Sequence, residues 1–292
     1  MKVLIAGGTG QVGIELQRLC PANVKLTAPG SSELDITDRE QTGKAVDRLR
    51  PDVIINAAAY TAVDRAESEP ERAFALNSEG AANLASAAAA TEARLIHIST
   101  DFVFDGKKSR PYVPSDPPAP LNVYGKSKLQ GEIEVARILG QRSVIIRTSW
   151  VYSAHRHNFV RTMLSLMSER KELKVVADQA GTPTWARSLA EVVWKTALRP
   201  EINGTFHWSD SGIASWYDFA CSISRIATNL GILSSPSTIL PINTHEYPTP
   251  ARRPYYSVLD KSNTSDALGI IPMHWEDNLL YMLMESDRET QS

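Results

Sequence analysis

A glycine-rich segment that directly follows a short apolar run constrains the fold of this chain more than any other feature. The run Val3-Leu4-Ile5-Ala6 is typical of a buried β-strand, and an amphipathic helical pattern begins after Gly13. Gly8, Gly10 and Gly13 match GxGxxG, and Gly7 replaces Gly8 in the related GxxGxxG. Glycines there allow a tight turn, let backbone N–H groups approach a diphosphate and aim the next helix at it. This context favours a dinucleotide site over a plain glycine-rich turn.

Further apolar runs, each bounded by turn residues, alternate with helical patterns along the first half of the chain. Nearly continuous apolarity is typical of strands buried on both faces, as in a parallel sheet covered by helices. Regular alternation of strand and helix predicts an α/β fold with a Rossmann-like, doubly wound parallel sheet. The other predicted strands are 24–27, 53–56, 95–99 and 144–147, and the predicted helices lie within 11–19 and 71–90.

In the second half, the pattern loosens into loops rich in Gly, Pro and Thr, with single helices at 186–198 and 215–230. We expect residues 1–150 to form an NAD(P)-binding Rossmann domain, to which some later segments return. Residues 151–292 are expected to form mainly a smaller, mixed substrate-binding lobe. Open sheets bind ligands beyond the carboxyl ends of their strands, which places the substrate between the lobes. The polar tail 286–292 is expected to fray.

Composition excludes several classes of function. In 292 residues, 31 Lys and Arg balance 33 Asp and Glu, for a formal net charge of −2. This argues against binding nucleic acid or a membrane surface through bulk charge. The two cysteines, Cys20 and Cys221, lie far apart without ligand-spaced partners, so neither a disulfide framework nor a zinc site is indicated. No apolar window approaches the ~20 residues of a membrane span. We therefore expect a soluble, cytoplasmic protein.

Tyr124 and Lys128 lie four residues apart, so on a helix they would share one face. An ammonium group beside a phenol favours the phenolate, which predicts a Tyr124 with a lowered pKa that exchanges protons with a carbonyl or alcohol oxygen. Alone, the pair is also compatible with a solvated helix face. Ser99 and Thr100 end the predicted strand at 95–99, where a sheet presents groups to ligands, so Thr100 could bond the same oxygen.

The glycine-rich turn, Ser99-Thr100 and the Tyr124–Lys128 pair, in that order, resemble the extended short-chain dehydrogenase/reductases that act on nucleotide-activated sugars. Later motifs are most similar to the branch of dTDP-4-dehydrorhamnose reductases. This resemblance implies hydride transfer from NADPH or NADH to the C4 carbonyl of dTDP-4-dehydro-L-rhamnose. The choice of cofactor stays open, because the acidic residue expected roughly 20 residues after the glycines is not clearly present. The motifs are at 7–13, 56–64, 99–106, 124–128, 147–152 and 249–254.

The resemblance also implies roles for individual residues. Tyr124 would donate a proton to the substrate oxygen, Thr100 would hold that oxygen, and Lys128 would tune Tyr124 and grip the nicotinamide ribose. Asp101 and Trp150 would join Thr100 in contacting the sugar nucleotide, although Trp150 could equally be a core aromatic residue. The implied cofactor-binding residues are Gly7, Gly10, Gln11, Val12, Gly13, Asp35, Ile36, Ala57, Ala58, Ala59, Thr61, Tyr124 and Lys128.

Two further features refine the expected reaction. Arg252 and Arg253, in a loop flanked by prolines, are suited to bidentate contact with a substrate diphosphate, although they could be surface charges. In the neighbouring 4,6-dehydratase branch, a glutamate typically follows the Thr-Asp pair. Phe102 occupies that place here, so dehydration is disfavoured.

Some members of the branch hold magnesium between subunits through glutamates. Glu15 resembles one of these residues, but Arg187 stands where a second glutamate is expected. A positive charge there disfavours a metal bridge, so we expect no metal, a helix-surface position for Glu15, and a monomer or a metal-independent homodimer. His155 and His157 have no ligand-spaced carboxylate or cysteine and are interpreted as loop residues.

Two other functions are also compatible with the sequence. One is a reductase of another nucleotide-linked 4-keto-6-deoxy sugar, since the stereochemistry at C4 depends on pocket shape at the scale of an ångström. The other is a non-catalytic, NADP-binding regulatory subunit, which would not need to keep Thr100, Tyr124 and Lys128 together. The intact set favours an enzyme that acts on a small-molecule nucleotide sugar.

Overall fold

The chain alternates strands with helices in its first half and becomes mixed in its second half. The computed structural model describes the backbone of residues 1–291 and the side chains of residues 1–286. The strands in this part are β1 (Lys2–Ala6), β2 (Lys25–Thr27), β3 (Val53–Asn56), β4 (Arg94–Thr100), β5 (Ser143–Thr148), β6 (Val151–Tyr152), β7 (Glu172–Val176), β8 (Ala180–Gly181), β9 (Thr184–Trp185), β10 (Gly204–His207), β11 (Ala214–Ser215) and β12 (Thr238–Ile242).

Helices separate most of the strands of the main sheet. A π-helical turn at Ala75–Glu79 joins α4 to α5, and 3-10 turns lie at Asp101–Val103, Gly140–Arg142 and Thr244–Glu246. The last helix includes residues 286–291, which the sequence predicted to fray, and Ser292 lies outside the described residues. The α-helices are α1 (Gln11–Arg18), α2 (Arg39–Leu49), α3 (Val63–Ala66), α4 (Pro70–Phe74), α5 (Gly80–Ala90), α6 (Val123–Leu139), α7 (Phe159–Glu169), α8 (Ala186–Ala197), α9 (Trp216–Asn229), α10 (Ser262–Leu268) and α11 (Trp275–Gln291).

Six strands form one sheet in the order β2-β1-β3-β4-β5-β10, and every neighbouring pair is parallel. This confirms the predicted Rossmann-like sheet. Five of its strands were predicted, whereas β10 comes from the second half of the chain and pairs with β5. The strand order reverses at β1, and doubly wound sheets bind dinucleotides in the crevice at such a reversal.

Helices cover both faces of this sheet, which explains why its strands are almost continuously apolar. On one face, Leu4 and Ile54 pack with residues of α2, α5 and α6. On the other face, Ile5 and Ile55 pack with residues of α1 and α8. The indole of Trp194 in α8 donates a hydrogen bond to a carbonyl of α1 over 2.8 Å. Thus α8 and β10, both beyond residue 150, belong to the core around the main sheet.

A separate hydrophobic cluster lies under α7, α9 and α11. Its largest buried members are Tyr152, Trp185, Phe219 and Trp275. The parallel pair of β7 with β12 packs beside α9. Among the described residues, no helix combines the length and apolarity that crossing a membrane requires.

Candidate active site

The glycine-rich turn contains two positions where a side chain would not fit. Gly7 has a φ of +84°, and a Cβ on it would lie 2.6 Å from the backbone nitrogen of Ala58. A Cβ on Gly13 would lie 2.2 Å from the carbonyl oxygen of Gly7. Gly10 is the N-cap of α1 and provides no side-chain cap. The first backbone N–H groups of α1 can therefore bind an anion such as a diphosphate, which fits a dinucleotide cofactor.

A loop from the second half of the chain contacts this turn. The side-chain nitrogen Nε of Arg156 donates to the carbonyl of Thr9 over 2.8 Å. The side-chain oxygen of Gln11 accepts hydrogen bonds from Ser153 Oγ at 3.0 Å and from Asn158 Nδ2 at 3.1 Å. Sequence reasoning assigned Gln11 to the cofactor but missed this loop, because the partners lie up to 147 residues apart and no motif marks them.

The segment after β3 forms a wall beside the turn. Residues 57–59 are half-buried and Thr61 is exposed. Asn77, in the π-helical turn before α5, accepts from the backbone nitrogen of Tyr60 at 2.8 Å and donates to its carbonyl at 3.1 Å. It also donates to Ser127 Oγ of α6 at 2.9 Å. Asn77, which sequence reasoning missed, therefore joins the predicted cofactor groove to the helix that carries Tyr124.

Asp35 and Ile36, assigned to the adenine end of the cofactor, lie beyond β2. Ile36 is only 2% exposed, and its side chain packs so closely on Gly80 that a Cβ there would lie 2.7 Å away. Asp35 is exposed, and its carboxylate accepts from the backbone nitrogen of Thr37 at 2.9 Å. Asp35 is thus the member of the pair whose side chain is accessible to a ligand, while that of Ile36 belongs to the core.

The three predicted catalytic residues meet where β4 ends and α6 begins. Thr100 is the last residue of β4, and Tyr124 and Lys128 lie one turn apart on α6, as predicted. Helix α6 begins here because the side chain of Asn122 caps its first turn. Thr100 is 4% exposed, Tyr124 9% and Lys128 1%. The Lys128 ammonium nitrogen donates to the carbonyl of Ile98 over 2.6 Å.

The acid–base properties of Tyr124 differ from the expectation. Burial raises the pKa of Tyr124 to about 12, a hydrogen bond with Thr100 opposes this shift, and the charge of Asp101 adds to it. Burial lowers the pKa of Lys128 to about 8, against the charge of Glu132. The prediction that Lys128 lowers the pKa of Tyr124 is therefore wrong for this structure, because burial dominates both groups. Tyr124 holds its proton at neutral pH, as a general acid must.

Asp101 and Phe102 follow Thr100 in a 3-10 turn. Asp101 is 1% exposed and accepts a hydrogen bond from Thr100 Oγ1 at 3.1 Å. Burial raises the pKa of Asp101 to about 6, although hydrogen bonds from Ser257 and Thr100 oppose the shift. The ring of Phe102 meets that of Tyr124 edge-on at 5.7 Å between centroids. An apolar ring therefore lies beside Tyr124 at the position where 4,6-dehydratases typically carry a glutamate.

Trp150 lies just after β5 with a φ of +47°, a conformation that bulky residues rarely adopt. Its indole stacks on that of Trp216 with 3.6 Å between ring centroids. Gly181 also packs against this indole, because a Cβ on it would lie 2.5 Å from the ring. Trp150 is half-buried and packs on the second hydrophobic cluster. It has the packing of a core aromatic residue while part of its surface remains exposed.

The loop with Arg252 and Arg253 lies next to the start of α6, because Asn122 Nδ2 donates to the carbonyl of Arg252 over 2.8 Å. The guanidinium of Arg253 makes a bidentate pair with Asp64, at 3.0 and 2.7 Å, and also donates to Thr249 Oγ1 at 2.6 Å. Arg252 is exposed. Both arginines therefore lie near the start of α6, the helix that carries Tyr124, but the guanidinium of Arg253 is already paired with the Asp64 carboxylate.

Glu15 is 0% exposed, so the prediction that it lies on the helix surface is wrong. Its carboxylate accepts from Arg187 Nε at 3.3 Å and lies 3.6 Å from His155 Nε2 and 3.9 Å from Arg18 Nη1. Glu285 pairs with Arg187 at 2.7 Å and also with Arg18. The packing of α8 on α1 buries Glu15, a tertiary contact that the sequence of α1 alone does not reveal.

These charged residues do not fit the magnesium site that the resemblance suggested. Divalent magnesium takes oxygen ligands and is repelled by cations, whereas the Arg187 guanidinium here bonds one oxygen of each of the Glu15 and Glu285 carboxylates. Within the part of the chain whose side chains are described, no group of three or more His, Cys, Asp and Glu residues is placed to hold a metal. His155 and His157 lie in the loop between β6 and α7, as predicted.

Several known proteins resemble this chain in sequence and in structure over nearly its whole length. The profile of the family described as RmlD substrate binding domain matches residues 1–288. A dTDP-4-dehydrorhamnose reductase of Burkholderia thailandensis is 43% identical over 285 residues, 94% of this chain and 95% of that protein. The solved structure of a dTDP-4-dehydrorhamnose reductase from Clostridium acetobutylicum has a TM-score of 0.91 at 40% identity, covering 97% and 98% of the two chains. A dTDP-4-dehydrorhamnose reductase from Bacillus anthracis, in complex with NADP, has a TM-score of 0.91 at 37% identity, covering 97% and 99%.

Proposed function

This chain belongs to the RmlD substrate binding domain family, and we propose that it is a dTDP-4-dehydrorhamnose reductase. It transfers a hydride from NADPH to the C4 carbonyl of dTDP-4-dehydro-L-rhamnose and forms dTDP-L-rhamnose. The observation that carries this proposal is the joint burial of Thr100, Tyr124 and Lys128 at the end of β4, in the parallel sheet whose strand β1 leads into the glycine-rich turn. The NADP in the Bacillus anthracis relative supports the choice of NADPH.

A nicotinamide cofactor at the glycine-rich turn would supply the hydride. Tyr124 donates its proton to the C4 oxygen as the carbonyl is reduced, since its pKa of about 12 keeps it protonated at neutral pH. Thr100 lies at the end of β4 and orients that oxygen. Lys128 holds the nicotinamide ribose and, as an ammonium, stabilises the charge that develops on Tyr124. Phe102 supplies no acid, which supports reduction rather than the loss of water.

Four residues are proposed to contact the sugar nucleotide together with Thr100. Asp101, which follows Thr100, and the half-buried Trp150 just after β5 contact the sugar. The exposed Arg252 and the Asp64-paired Arg253 contact its diphosphate. Residues 1–150, together with α8 and β10, form the lobe that binds the cofactor. The rest of residues 151–292 forms the substrate lobe. The groove for the cofactor is formed by Gly7, Gly10, Gln11, Val12, Gly13, Asp35, Ile36, Ala57, Ala58, Ala59 and Thr61.

Replacing Arg252 by alanine is expected to raise KM for the nucleotide sugar about 10- to 150-fold, because a charge-assisted hydrogen bond contributes roughly 1.5–3 kcal/mol. The melting temperature should not change, since the side chain is exposed. Steady-state kinetics and a thermal melt test this. Arg48→Ala, at another exposed arginine, is the control. A KM equal to that of the parent protein would assign Arg252 to the surface.

The same contacts support a proposal for the oligomeric state and the compartment. We propose a monomer or a metal-independent homodimer, because the Arg187 guanidinium pairs with the Glu15 carboxylate. We propose a cytoplasmic location, because Cys20 and Cys221 are free thiols. Activity is expected to survive dialysis against EDTA without change. Activity that disappears with EDTA and returns with magnesium would contradict this proposal.

The decisive experiment is a coupled assay that supplies dTDP-4-dehydro-L-rhamnose and follows the oxidation of NADPH and of NADH. The expected product, dTDP-L-rhamnose, is identified by NMR. A product with the opposite configuration at C4 would show a reductase for another 4-keto sugar. Binding of NADPH without any oxidation would instead support a regulatory subunit.

A further inference from the structure

Lys128 faces a buried chain of polar groups that the proposed mechanism does not use. His97 in β4 is 0% exposed and Asn56, at the end of β3, is 1% exposed. These two residues are register partners in neighbouring strands, so their side chains lie on the same face of the sheet. His97 Nε2 lies 3.4 Å from Lys128 Nζ, and His97 Nδ1 lies 3.0 Å from Asn56 Nδ2. The chain ends where Asn56 Oδ1 accepts from Ala58 N at 3.1 Å.

The contact with Ala58 sets the direction of these hydrogen bonds. A backbone N–H can only donate, so the atom of Asn56 that faces Ala58 is its oxygen, and its amide NH2 faces His97. His97 Nδ1 must then accept. Burial, together with the charge of Lys128, holds the pKa of His97 well below its ordinary value, so the ring is neutral. Its single proton therefore resides on Nε2 and points at Lys128.

This tautomer places a donor against the lysine nitrogen. An ammonium cannot accept the Nε2–H, whereas an amine accepts it and still donates to the Ile98 carbonyl at 2.6 Å. Glu132, one turn further along α6, favours the ammonium, but the Arg147 guanidinium bonds that carboxylate at 2.7 Å. Other titratable groups near this end of α6 include Tyr124 on the helix itself, Asp101 in the adjoining 3-10 turn and Glu67, whose carboxylate accepts from the backbone nitrogen of Val123 at 2.8 Å.

We propose that His97, held as its Nε2–H tautomer by Asn56, is a positioning residue that sets the charge of Lys128. The idea rests on the proposed function, in which Lys128 acts as an ammonium. Placing a proton on Lys128 reverses both hydrogen bonds and turns the Asn56 amide, which removes the acceptor of the Ala58 N–H. Protonation of Lys128 and loss of the hydrogen bond from the Ala58 N–H, in the cofactor groove, are therefore coupled.

The tautomer can be measured directly in the intact protein. We would label the six histidines with 15N and record long-range 1H–15N correlation spectra across the pH range in which the protein is folded. The signal of His97 is the one that disappears in His97→Gln. We expect a neutral ring that carries its proton on Nε2 while Lys128 is an amine and on Nδ1 once the lysine is protonated, with the change following the lysine pKa of about 8. A tautomer that stays the same while Lys128 titrates, or protonation of the ring to a cation over that range, would overturn the proposal even if the reductase activity is real.

Asn56→Asp tests the effect on Lys128. A carboxylate still accepts from Ala58 N–H but also accepts from His97 Nδ1–H, which leaves Nε2 free to accept from an ammonium. The pKa of the lysine, read from its 13Cε shift and from the alkaline limb of kcat/KM, is expected to rise by about one pH unit, a roughly tenfold gain in proton affinity.

The negative charge that Asn56→Asp adds would also raise the pKa of Lys128 directly, without any change in the His97 tautomer. The same substitution in the His97→Gln background separates the two causes, since a double-mutant cycle isolates the coupling. We expect the shift to fall to less than about half. An undiminished shift in that background would overturn the role of His97, whereas failure of the sugar assay would leave this comparison by 13C NMR intact.

Discussion

Tyr124→Phe is expected to lower kcat by about 10²- to 10⁴-fold, the usual contribution of a positioned general acid. The phenyl ring keeps the edge contact with Phe102 and fills the same buried site, so the fold and the affinity for NADPH should persist. The substitution removes a hydroxyl that hydrogen-bonds with Thr100 and keeps its proton at neutral pH. Turnover is measured in the coupled assay, and cofactor binding by fluorescence titration.

The control for this variant is Tyr281→Phe, because Tyr281 is 52% exposed on α11 and far along the chain from the site. It should keep parental turnover. A Tyr124→Phe protein that retains more than about one-tenth of kcat would mean that another group or water supplies the proton.

Glu132→Gln is expected to lower the free energy of unfolding by about 3–5 kcal/mol, because it leaves a buried guanidinium without its counter-charge. The side chains of Glu132 and Arg147 are only 5% and 6% exposed, and three Arg147–Glu132 contacts span 2.7 to 3.2 Å. Ser99 Oγ donates to the same carboxylate at 2.5 Å. This carboxylate therefore joins α6 to β4 and β5, the elements that carry Tyr124 and Thr100. Urea denaturation measures the change.

Glu134→Gln provides a matched control on the same helix. Glu134 also pairs with an arginine, Arg137 at 2.6 Å, but the arginine side chain is 66% exposed. Exposed ion pairs contribute about 0.2–1 kcal/mol, so this variant should unfold close to the parent protein. Equal losses for the two substitutions would show that burial does not control the strength of the Glu132 pair.

Local patterns account for what the sequence predicted well. Five strands of the main sheet follow from apolar runs, and the turn at Gly7–Gly13 follows from a conformation that only glycine allows without clashes. The spacing of Tyr124 and Lys128 places them on one face of α6 because a helix repeats every ~3.6 residues. Thr100 was found because it ends a strand that was itself predicted. In each case, residues close in sequence are sufficient to define the feature.

Tertiary contacts account for what the sequence did not predict. The sequence predicted a helix at 186–198 and the return of some later segments to the first domain, but only the structure shows that helix α8 and strand β10 are the segments that complete the main sheet and its cover. Glu15 has the sequence context of a surface residue but is buried against Arg187. The chain of Asn56 and His97 also depends on the pairing of β3 with β4.

The sequence by itself determined the doubly wound fold, the dinucleotide turn and the residues that are proposed as the catalytic set. Only the tertiary structure decided their protonation: Tyr124 has a raised pKa and Lys128 a lowered one. It also decided which charges are already paired, such as Arg253 with Asp64. The physical reason is that backbone geometry follows from local sequence, whereas desolvation and ion pairing depend on what distant segments bring against each group.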